Sequence, residues 1–566
     1  MAFGRGIASK RDIAQLQSEL ESCARNLNRA MAVATLANVE RLRELLEKAN
    51  PSLSNISQDL MKIKVAIENG SQLLDEIVSL QITSKKALVT INQRAILNSL
   101  KPNSANARLD EIRGRASDTF NWIFEPSDKL LRRVPKVEEQ ISTWFRSGSG
   151  IFHVVGKPGS GKSTLMKFLT THGNTRALLE SWAEQRNGKQ VIISSFFFWK
   201  LGIGEQKTMR GLLRGLISEV LQEVPDMARL LFPKHWDPQR YLMNDTTPIL
   251  PKISDEDVHQ AFELLKQQPE IREKFSFCFF IDGIDEFSEP DMSVSALVSR
   301  LRTLNWDPKS REELSLHRAS LPDHIKMCVS SRDLPEITLG LPGPQRMLLH
   351  LFTRSDIEIV VRTTLEENEQ FQAIAKAESE KCQLLVKKII DDANGVFLWV
   401  TLLLKLLEDK LSTSVTSIHI LEKTVSEVPT ELEDFFRKIL DSITKPCRGG
   451  AYVIFAMVVR MTEMLISNHE SFHDNCVHSE YHEPQHTCLS LIGLRTVMQG
   501  LEQSLEWARF GKDQDQNSTC SSPEEYQHHQ EQAQAMLSVW GKCLLEVDNK
   551  AEDFQREGNI KGHGFV

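Results

Sequence analysis

Apolar side chains in the first hundred residues recur at alternating spacings of three and four, the period of an amphipathic helix. The two runs are Ile13, Leu16, Leu20, Cys23 and Leu27, then Leu53, Ile56, Leu60, Ile63 and Ile67. Asn50-Pro51 separates them and predicts a turn. Residues 1–100 are therefore predicted to be a helical bundle or a coiled-coil region. The short heptad runs favour the bundle.

Further along, short uncharged runs rich in β-branched and aromatic residues alternate with helical patterns. Such runs are typical of strands buried on both faces of a parallel sheet. They are Ile151 to Val155, Val191 to Trp199, Phe275 to Ile281 and Ile325 to Ser330. Between them, Leu212 to Leu221 carries a helical apolar face. The alternation predicts an α/β fold with a doubly wound, mostly parallel sheet, flanked by α-helical N- and C-terminal regions.

After Leu341-Pro342-Gly343-Pro344 the pattern becomes helical again, through Val396 to Leu407 and Leu432 to Ile443. The predicted domains are the sheet domain at 101–345, a helical domain at 346–445, and a mostly helical region with polar loops at 446–566. The apolar runs Val396 to Leu404 and Ala451 to Val459 fall short of the roughly 20 residues that span a bilayer, so no membrane span is expected.

Composition narrows the class of protein further. The net charge is −8 over 566 residues, which argues against a protein built to bind nucleic-acid backbones. Nine cysteines without a C-x-x-C pair fit reduced thiols and a cytoplasmic location better than a disulfide framework. Met1 to Arg11 is basic but has no apolar core, so no secretory signal is expected there.

A complete phosphate-binding loop follows the first predicted strand. It matches G-x-x-x-x-G-K-[ST] as Gly156, Lys157, Pro158, Gly159, Ser160, Gly161, Lys162 and Ser163, with Thr164 next. Its glycines let several backbone N–H groups point at one phosphate, and the following helix offers its positive end. Lys162 can reach the outer phosphates and Ser163 can hold Mg²⁺.

Charged residues at the ends of the later strands complete the predicted site, because parallel strands place their carboxyl ends at one edge of the sheet. Asp282 is the candidate metal ligand beside Ser163. Asp285 and Glu286 are candidates for orienting an attacking water, with Glu286 preferred. Arg332 follows the neighbouring strand and is expected to sense the terminal phosphate.

The bound nucleotide is predicted to be ATP or ADP with Mg²⁺, because no strand is followed by a guanine-binding N-K-x-D. The nearest string, Asn549-Lys550-Ala551-Glu552, ends in Glu. A second group of potential metal ligands is Cys476, His478, His482, His486 and Cys488. Pro484 interrupts any helix that would align them, and the spacing matches no zinc pattern, so a polar loop is preferred.

With these residues in hand, the chain resembles the NACHT-type STAND ATPases of filamentous fungi, in particular those with a nephrocystin-like P-loop domain. The resemblance spans roughly residues 95–445. Its motifs are Thr119 to Phe124, Gly156 to Thr164, Phe196 to Trp199, Phe279 to Phe287, Cys328 to Arg332 and Gly395 to Val400. It implies a switch that is closed with ADP and oligomeric with ATP, linked to non-self recognition and cell death.

The chain departs from that family at two points. The C-terminal repeats by which relatives sense ligands are missing, which leaves the sensor role open. Phe397 stands where some related switches have a proline that packs on adenine, and no Met-His-Asp triplet occurs. The resemblance thus implies the helical domain but not tight locking by ADP. It also implies that residues 446–566 are a remnant of the family's winged-helix region.

Three functions compete at this point. The first is a switch of low ATPase turnover that assembles with itself and signals to an unknown protein partner. The second is a helical interaction scaffold in which the nucleotide is only structural. The third is a P-loop kinase acting on a small molecule, for which the long helical flanks have no purpose.

Overall fold

The computed structural model describes residues 73–100, 141–238, 250–304, 321–412 and 417–445, apart from single positions 201, 203, 342 and 344. It also describes parts of 108–124 and of 448–456, and two short strands near the C terminus. The helical runs predicted around Ile13 and Leu53 lie outside the described residues. So do the group from Cys476 to Cys488 and most of the predicted region 446–566.

Long-range contacts divide the chain into two compact units. One, which we call the insert unit, combines Met1–Pro102 with Leu213–Glu273; the other, the sheet unit, combines Asn103–Leu212 with Lys274–Val566. Residues 213–273 lie within the predicted 101–345 domain, but they group with the chain before it. The predicted boundaries after residues 100, 345 and 445 stay predictions.

In the described part of the sheet unit, five strands form one parallel sheet in the order β2-β3-β4-β1-β5. The strands are β1 (Gly150–Val155), β2 (Gln190–Phe197), β3 (Phe275–Asp282), β4 (Ile325–Ser331) and β5 (Arg346–Leu348). The parallel α/β fold is confirmed, and the first four strands lie within two residues of their predicted bounds. Near the C terminus, β6 (Val547–Asp548) pairs antiparallel with β7 (Gly564–Phe565).

The described helices connect and follow these strands. They are α1 (Leu73–Leu100), α2 (Ile141–Ser147), α3 (Lys162–Thr171), α4 (Gly173–Glu184), α5 (Met209–Glu223), α6 (Ala228–Leu231), α7 (Asp255–Gln267), α8 (Pro269–Lys274), α9 (Val294–Thr303), α10 (Pro335–Thr338), α11 (Arg354–Glu366), α12 (Glu369–Ala377), α13 (Ser379–Asp392), α14 (Phe397–Leu411), α15 (Ile418–Glu427) and α16 (Leu432–Asp441). No described helix is both long and apolar enough to cross a membrane.

The sheet is built from strands whose side chains are buried on both faces. In β3, every residue after Phe275 is buried. Cys278 and Phe280 point to one face, where α2, α3 and α4 pack aromatic and aliphatic side chains in one core. The largest of these side chains are Trp144, Phe145, Phe168 and Trp182. Because water is excluded from both faces, the strands hold their register and their carboxyl ends stay together at one edge.

The helices from α11 to α16 form a second core within the sheet unit. Val400, Leu403 and Leu407 of α14 are fully buried in it, at the spacing of one helix face. Trp399 of α14 donates its indole N–H to the Pro429 carbonyl at 2.7 Å, which ties α14 to the turn before α16. The apolar run that begins at Val396 is therefore a buried helix, as predicted.

The insert unit is tied together by a nearly buried arginine. Arg214 of α5 donates to the carbonyls of Ser99 in α1, at 3.0 Å, and of Ile253, at 2.6 Å. It also pairs with Asp255 at the start of α7. One guanidinium thus joins segments that lie far apart in the sequence, as a planar group with five donors can.

Lys326 occupies a buried position at the amino end of β4. Its ammonium donates to the carbonyls of Trp144, at 2.7 Å, and Phe145, at 3.0 Å, in the last turn of α2. It also lies 5.0 Å from the Trp144 ring centre and 4.3 Å from that of Trp182. Burial lowers the pKa of Lys326 from 10.5 to about 7. The carbonyls and rings offset part of the cost of removing this group from water.

The lowered pKa predicts a pH dependence of stability. Between pH 7 and 10.5 the unfolded chain binds more protons at Lys326 than the folded chain does, so the contribution of Lys326 to the free energy of unfolding rises with pH. Lys326→Met removes this rise. In thermal unfolding, the melting temperature of wild type relative to Lys326→Met should therefore increase from pH 7 to pH 9.5. Lys376→Met, at an exposed position on α12, should keep a constant difference. If the difference in melting temperature between wild type and Lys326→Met were also independent of pH, the lowered pKa of Lys326 would be contradicted.

Candidate functional site

The loop after β1 curls back on itself before α3 begins. Gly159 and Gly161 have φ of +70° and +87°, a left-handed backbone that favours glycine. The N–H of Gly156 donates to the Ser331 carbonyl at 3.1 Å, which fastens the start of the loop to the end of β4. The N–H of Ser160 donates to the Lys157 carbonyl and closes the turn. Pro158 lies within this turn and Thr164 in the first turn of α3. The predicted nine-residue motif therefore forms one compact loop at a helix N-terminus.

Lys162 and Ser160 give the loop the character of an anion cradle. The Lys162 ammonium donates to the carbonyls of Gly156 and Lys157, at 3.0 and 3.1 Å, so it folds back over the loop. The Ser160 hydroxyl is fully buried, and no residue of the described chain hydrogen-bonds to it. A Cβ on Gly156 would lie 2.5 Å from that hydroxyl. A backbone this close to an orphaned buried donor fits a bound phosphate.

Asp282 ends β3 as a buried carboxylate held by two hydroxyls. Ser330 of β4 donates its hydroxyl to Asp282 Oδ1, and Ser163 of α3 also hydrogen-bonds to the carboxylate. The N–H of Gly283 donates to the Ser330 hydroxyl at 2.9 Å. Burial raises the pKa of Asp282, while the two hydroxyls and the Lys162 charge act in the opposite direction. The structure thus brings the predicted metal pair, Ser163 and Asp282, into direct contact.

The charges at this edge of the sheet act on each other. Burial lowers the pKa of Lys162, and the carboxylates of Asp285 and Asp282 counter that effect. Arg332 acts on Lys162 in the same direction as burial, and Glu286 acts against it. The five charged side chains that the sequence predicts for the site therefore lie in one electrostatic neighbourhood, as expected for a compact ionic site.

Asp285 and Glu286 sit on a short helical turn, Ile284–Glu286, that follows Gly283. Both oxygens of Asp285 accept bonds from Arg332: Oδ2 from its Nε and Oδ1 from its backbone N–H, each at 3.1 Å. Glu286 Oε2 accepts the backbone N–H of Lys200 at 3.0 Å, and burial raises the pKa of Glu286. The two acids thus have different surroundings, with a cation beside Asp285 and a neutral donor on Glu286.

Three contributors to the site were not predicted from the sequence. Ser330 ends the predicted strand that leads to Arg332, so its position was predicted. Its bond to Asp282 was not. Lys200 contributes its backbone N–H, which no residue type in the sequence can indicate. The third, Arg108, belongs to the segment before the sheet, and its charge acts on both Asp282 and Glu286. Nothing in the spacing of the chain marks it.

The start of α14 rests on the outside of the loop. Leu398 donates its N–H to the Gly159 carbonyl at 3.1 Å. Because of this contact, a Cβ on Gly159 would lie 2.6 Å from Leu398 Cβ. The ring of Phe397 lies beside Gly161, where a Cβ would be 3.2 Å from its edge. A helix of the second core therefore contacts the loop directly.

The segment before the sheet reaches the same place. The Phe120 ring lies 6.1 Å from that of Phe397, centre to centre. Asp356 of α11 accepts the N–H of Phe120 at 3.2 Å and the indole N–H of Trp122 at 2.8 Å. Burial raises the pKa of Asp356 to about 6. One buried carboxylate thus holds the Phe120 segment against α11, a helix of the same core as α14.

The sheet and the loop define an α/β domain of the P-loop-like type. Residues 136–332, which include the loop, the strand-end acids and Arg332, match the family described as Nephrocystin 3, N-terminal. No curated protein matches the chain. Among solved structures, the Drosophila ORC bound to DNA is similar over 77% of this chain and 94% of that chain, at 15% identity and a TM-score of 0.23. A likeness at this TM-score carries no argument about fold or function.

The donors at the site suit a hard cation shared with phosphate oxygens. One hydroxyl and one carboxylate, from Ser163 and Asp282, are the oxygen ligands that Mg²⁺ uses when a nucleotide and water complete its shell. In the described ranges no group of three or more His, Cys, Asp or Glu side chains could hold a metal without such help. The residues present therefore fit a magnesium ion that arrives with its nucleotide.

The start of α14 depends on a glycine, which predicts an effect on stability. Gly395 has φ of +78°, and a Cβ there would lie 2.0 Å from the His350 carbonyl oxygen. Gly150 has φ of +73° with open space around it. Gly150→Ala should lower the free energy of unfolding by about 1–2 kcal/mol, through the strain of a left-handed backbone alone. Gly395→Ala should lower it by about 1–3 kcal/mol more, because its Cβ also clashes with the His350 carbonyl oxygen.

Urea unfolding of the two variants and the wild type measures both costs. The two substitutions share the same chemistry and nearly the same φ, so their difference isolates the close approach to His350. Equal destabilisation by both would contradict the close approach that the structure gives for Gly395.

Proposed function

We propose that this chain is an ATP-binding signalling switch of the NACHT or STAND class, which couples nucleotide exchange or slow hydrolysis to self-assembly. The observation that carries the proposal is the convergence of the loop, Lys162 and the Ser163–Asp282 pair at one edge of the parallel sheet. Phosphoryl chemistry needs positioned charge more than covalent help, and this edge supplies it.

Each residue has a defined task in this proposal. Backbone N–H groups of the loop and of the start of α3 donate to the phosphates, and the Lys162 ammonium moves from the loop carbonyls onto the outer phosphate oxygens. Ser163 and Asp282 would hold Mg²⁺, which when bound would supply positive charge against the phosphates. Glu286 orients the attacking water, because the Lys200 N–H already fixes its carboxylate. Arg332 senses the terminal phosphate by exchanging its bond to Asp285 for one to the nucleotide.

The contact between α14 and the loop favours a switch over a small-molecule kinase. Leu398 is bonded to the loop carbonyl of Gly159, and Phe397 covers Gly161. A nucleotide that alters the loop would therefore act directly on the helical core behind α14. In this proposal the product of the ATPase cycle is a conformational change. It would operate in the cytoplasm, in fungal non-self recognition or cell death, through a protein partner still to be identified.

The first test removes the ammonium from the loop. Lys162→Ala should weaken binding of Mg-ATP by about 2–4 kcal/mol, or roughly 30- to 1,000-fold in Kd, because a charged donor to phosphate is lost. Isothermal titration calorimetry gives the affinities. Lys376→Ala, at an exposed position on α12, is the matched control and should bind as the wild type does. If Lys162→Ala and wild type bound Mg-ATP with equal affinity, the proposal that Lys162 contacts the phosphates would be wrong.

The second test separates a switch from a scaffold with a structural nucleotide. Glu286→Gln should bind Mg-ATP normally but lose hydrolysis by 10²-fold or more, because the amide cannot accept a proton. The variant should then accumulate as an ATP-bound assembly, visible as a larger mass in size-exclusion chromatography with light scattering. Glu336→Gln, at an exposed site on α10, should show the wild-type mass. A Glu286→Gln variant with unchanged mass in ATP would favour the scaffold.

A further inference from the structure

Arg108 brings a cation to the acidic edge of the sheet from a part of the chain outside the sheet. Its guanidinium lies 5.4 Å from the centre of the Trp199 ring. Trp199 follows β2 by two residues and precedes Lys200, whose N–H is bonded to Glu286. The guanidinium therefore sits at the β2 side of the site, opposite Arg332, which follows β4.

The segment that carries Arg108 is fastened to the phosphate-loop helix. Lys167 of α3 donates its ammonium to the carbonyls of Leu109, at 2.6 Å, and Ile112, at 2.7 Å. The N–H of Ile112 donates to the Arg108 carbonyl at 3.1 Å, which closes a turn. The position of Arg108 is thus set by the same helix that begins with Lys162.

The charges around Glu286 give Arg108 a task. Burial raises the pKa of Glu286, and Asp285 and Asp282 raise it further. The Lys200 N–H and Arg108 act in the opposite direction. Lys162 also faces Glu286, but the Lys162 ammonium is needed at the phosphates. Arg332 is bonded to Asp285. Arg108 is a further cation whose charge acts on Glu286, from its position over the Trp199 ring.

We infer that Arg108 is a positioning residue for hydrolysis: its guanidinium, stacked on Trp199, holds Glu286 as an oriented carboxylate facing the terminal phosphate of the nucleotide. The inference rests on the proposed function, because it assigns a role within the same nucleotide site. It also makes hydrolysis depend on the segment before the sheet, since that segment delivers the cation.

The test compares Arg108→Gln with Arg108→Lys in the full-length chain. Arg108→Gln should lower kcat for ATP hydrolysis by 10- to 100-fold, while the Kd for Mg-ATP changes less than about threefold. Arg108→Lys keeps the charge and should recover kcat to within about threefold of wild type. Arg146→Gln, at an exposed arginine on α2, makes the same chemical change away from the site and should leave both constants unchanged.

Three results would overturn the inference. One is a wild-type kcat in Arg108→Gln. Another is a loss of kcat and of Mg-ATP affinity together, with Arg108→Lys no better than Arg108→Gln, since that pattern describes a structural arginine. The third is a lower melting temperature that accounts for the lost activity of Arg108→Gln. Failure of the proposed function differs from all three, because the wild type itself would then bind no Mg-ATP.

Discussion

The site is organised around a carboxylate that is buried away from solvent. Asp282 ends a strand buried on both faces, and desolvation opposes its charge. It is satisfied by hydroxyls from β4 and from the first turn of α3. These bonds require the ends of β3 and β4 and the start of α3 to meet, so the register of the sheet and the path of the loop depend on one another. A shift of either strand by one residue would leave a buried carboxylate without its partners.

Much of the sheet and loop could be predicted from the sequence because both follow from local chemistry. Continuous apolar runs mark β1 to β4, and two glycines of the loop, Gly159 and Gly161, mark positions with positive φ. The strand β5 could not be predicted, since a segment of three residues is too short to show a hydrophobic period. The grouping of residues 213–273 with the N-terminal segment was also missed, because α5 reads as one continuous helix across the boundary.

The charged residues show a different limit. Asp282, Glu286 and Arg332 were predictable because each follows a strand, and parallel strands end at one edge. Which charge pairs with which was not predictable: Arg332 is bonded to Asp285, and Arg108 comes from a segment with no pattern of its own. Pairing depends on side-chain reach and on long-range contacts, which the order of residues does not encode in any simple period. The same holds for Leu398, which meets the loop only because the helical core folds back on it.

The split arrangement of the insert unit constrains how the chain emerges from the ribosome. The guanidinium of Arg214 joins Ser99 to Ile253, and the first of these bonds spans 115 positions. At typical translation speeds of about 5–20 residues per second, the helix that ends at Leu100 waits roughly 6–23 s for that partner. By the end of this interval β1 and β2 have also been synthesised, whereas β3 and β4 have not. The nascent polypeptide therefore exposes two incomplete apolar surfaces at once. Chaperones would have the largest apolar area to bind during this period.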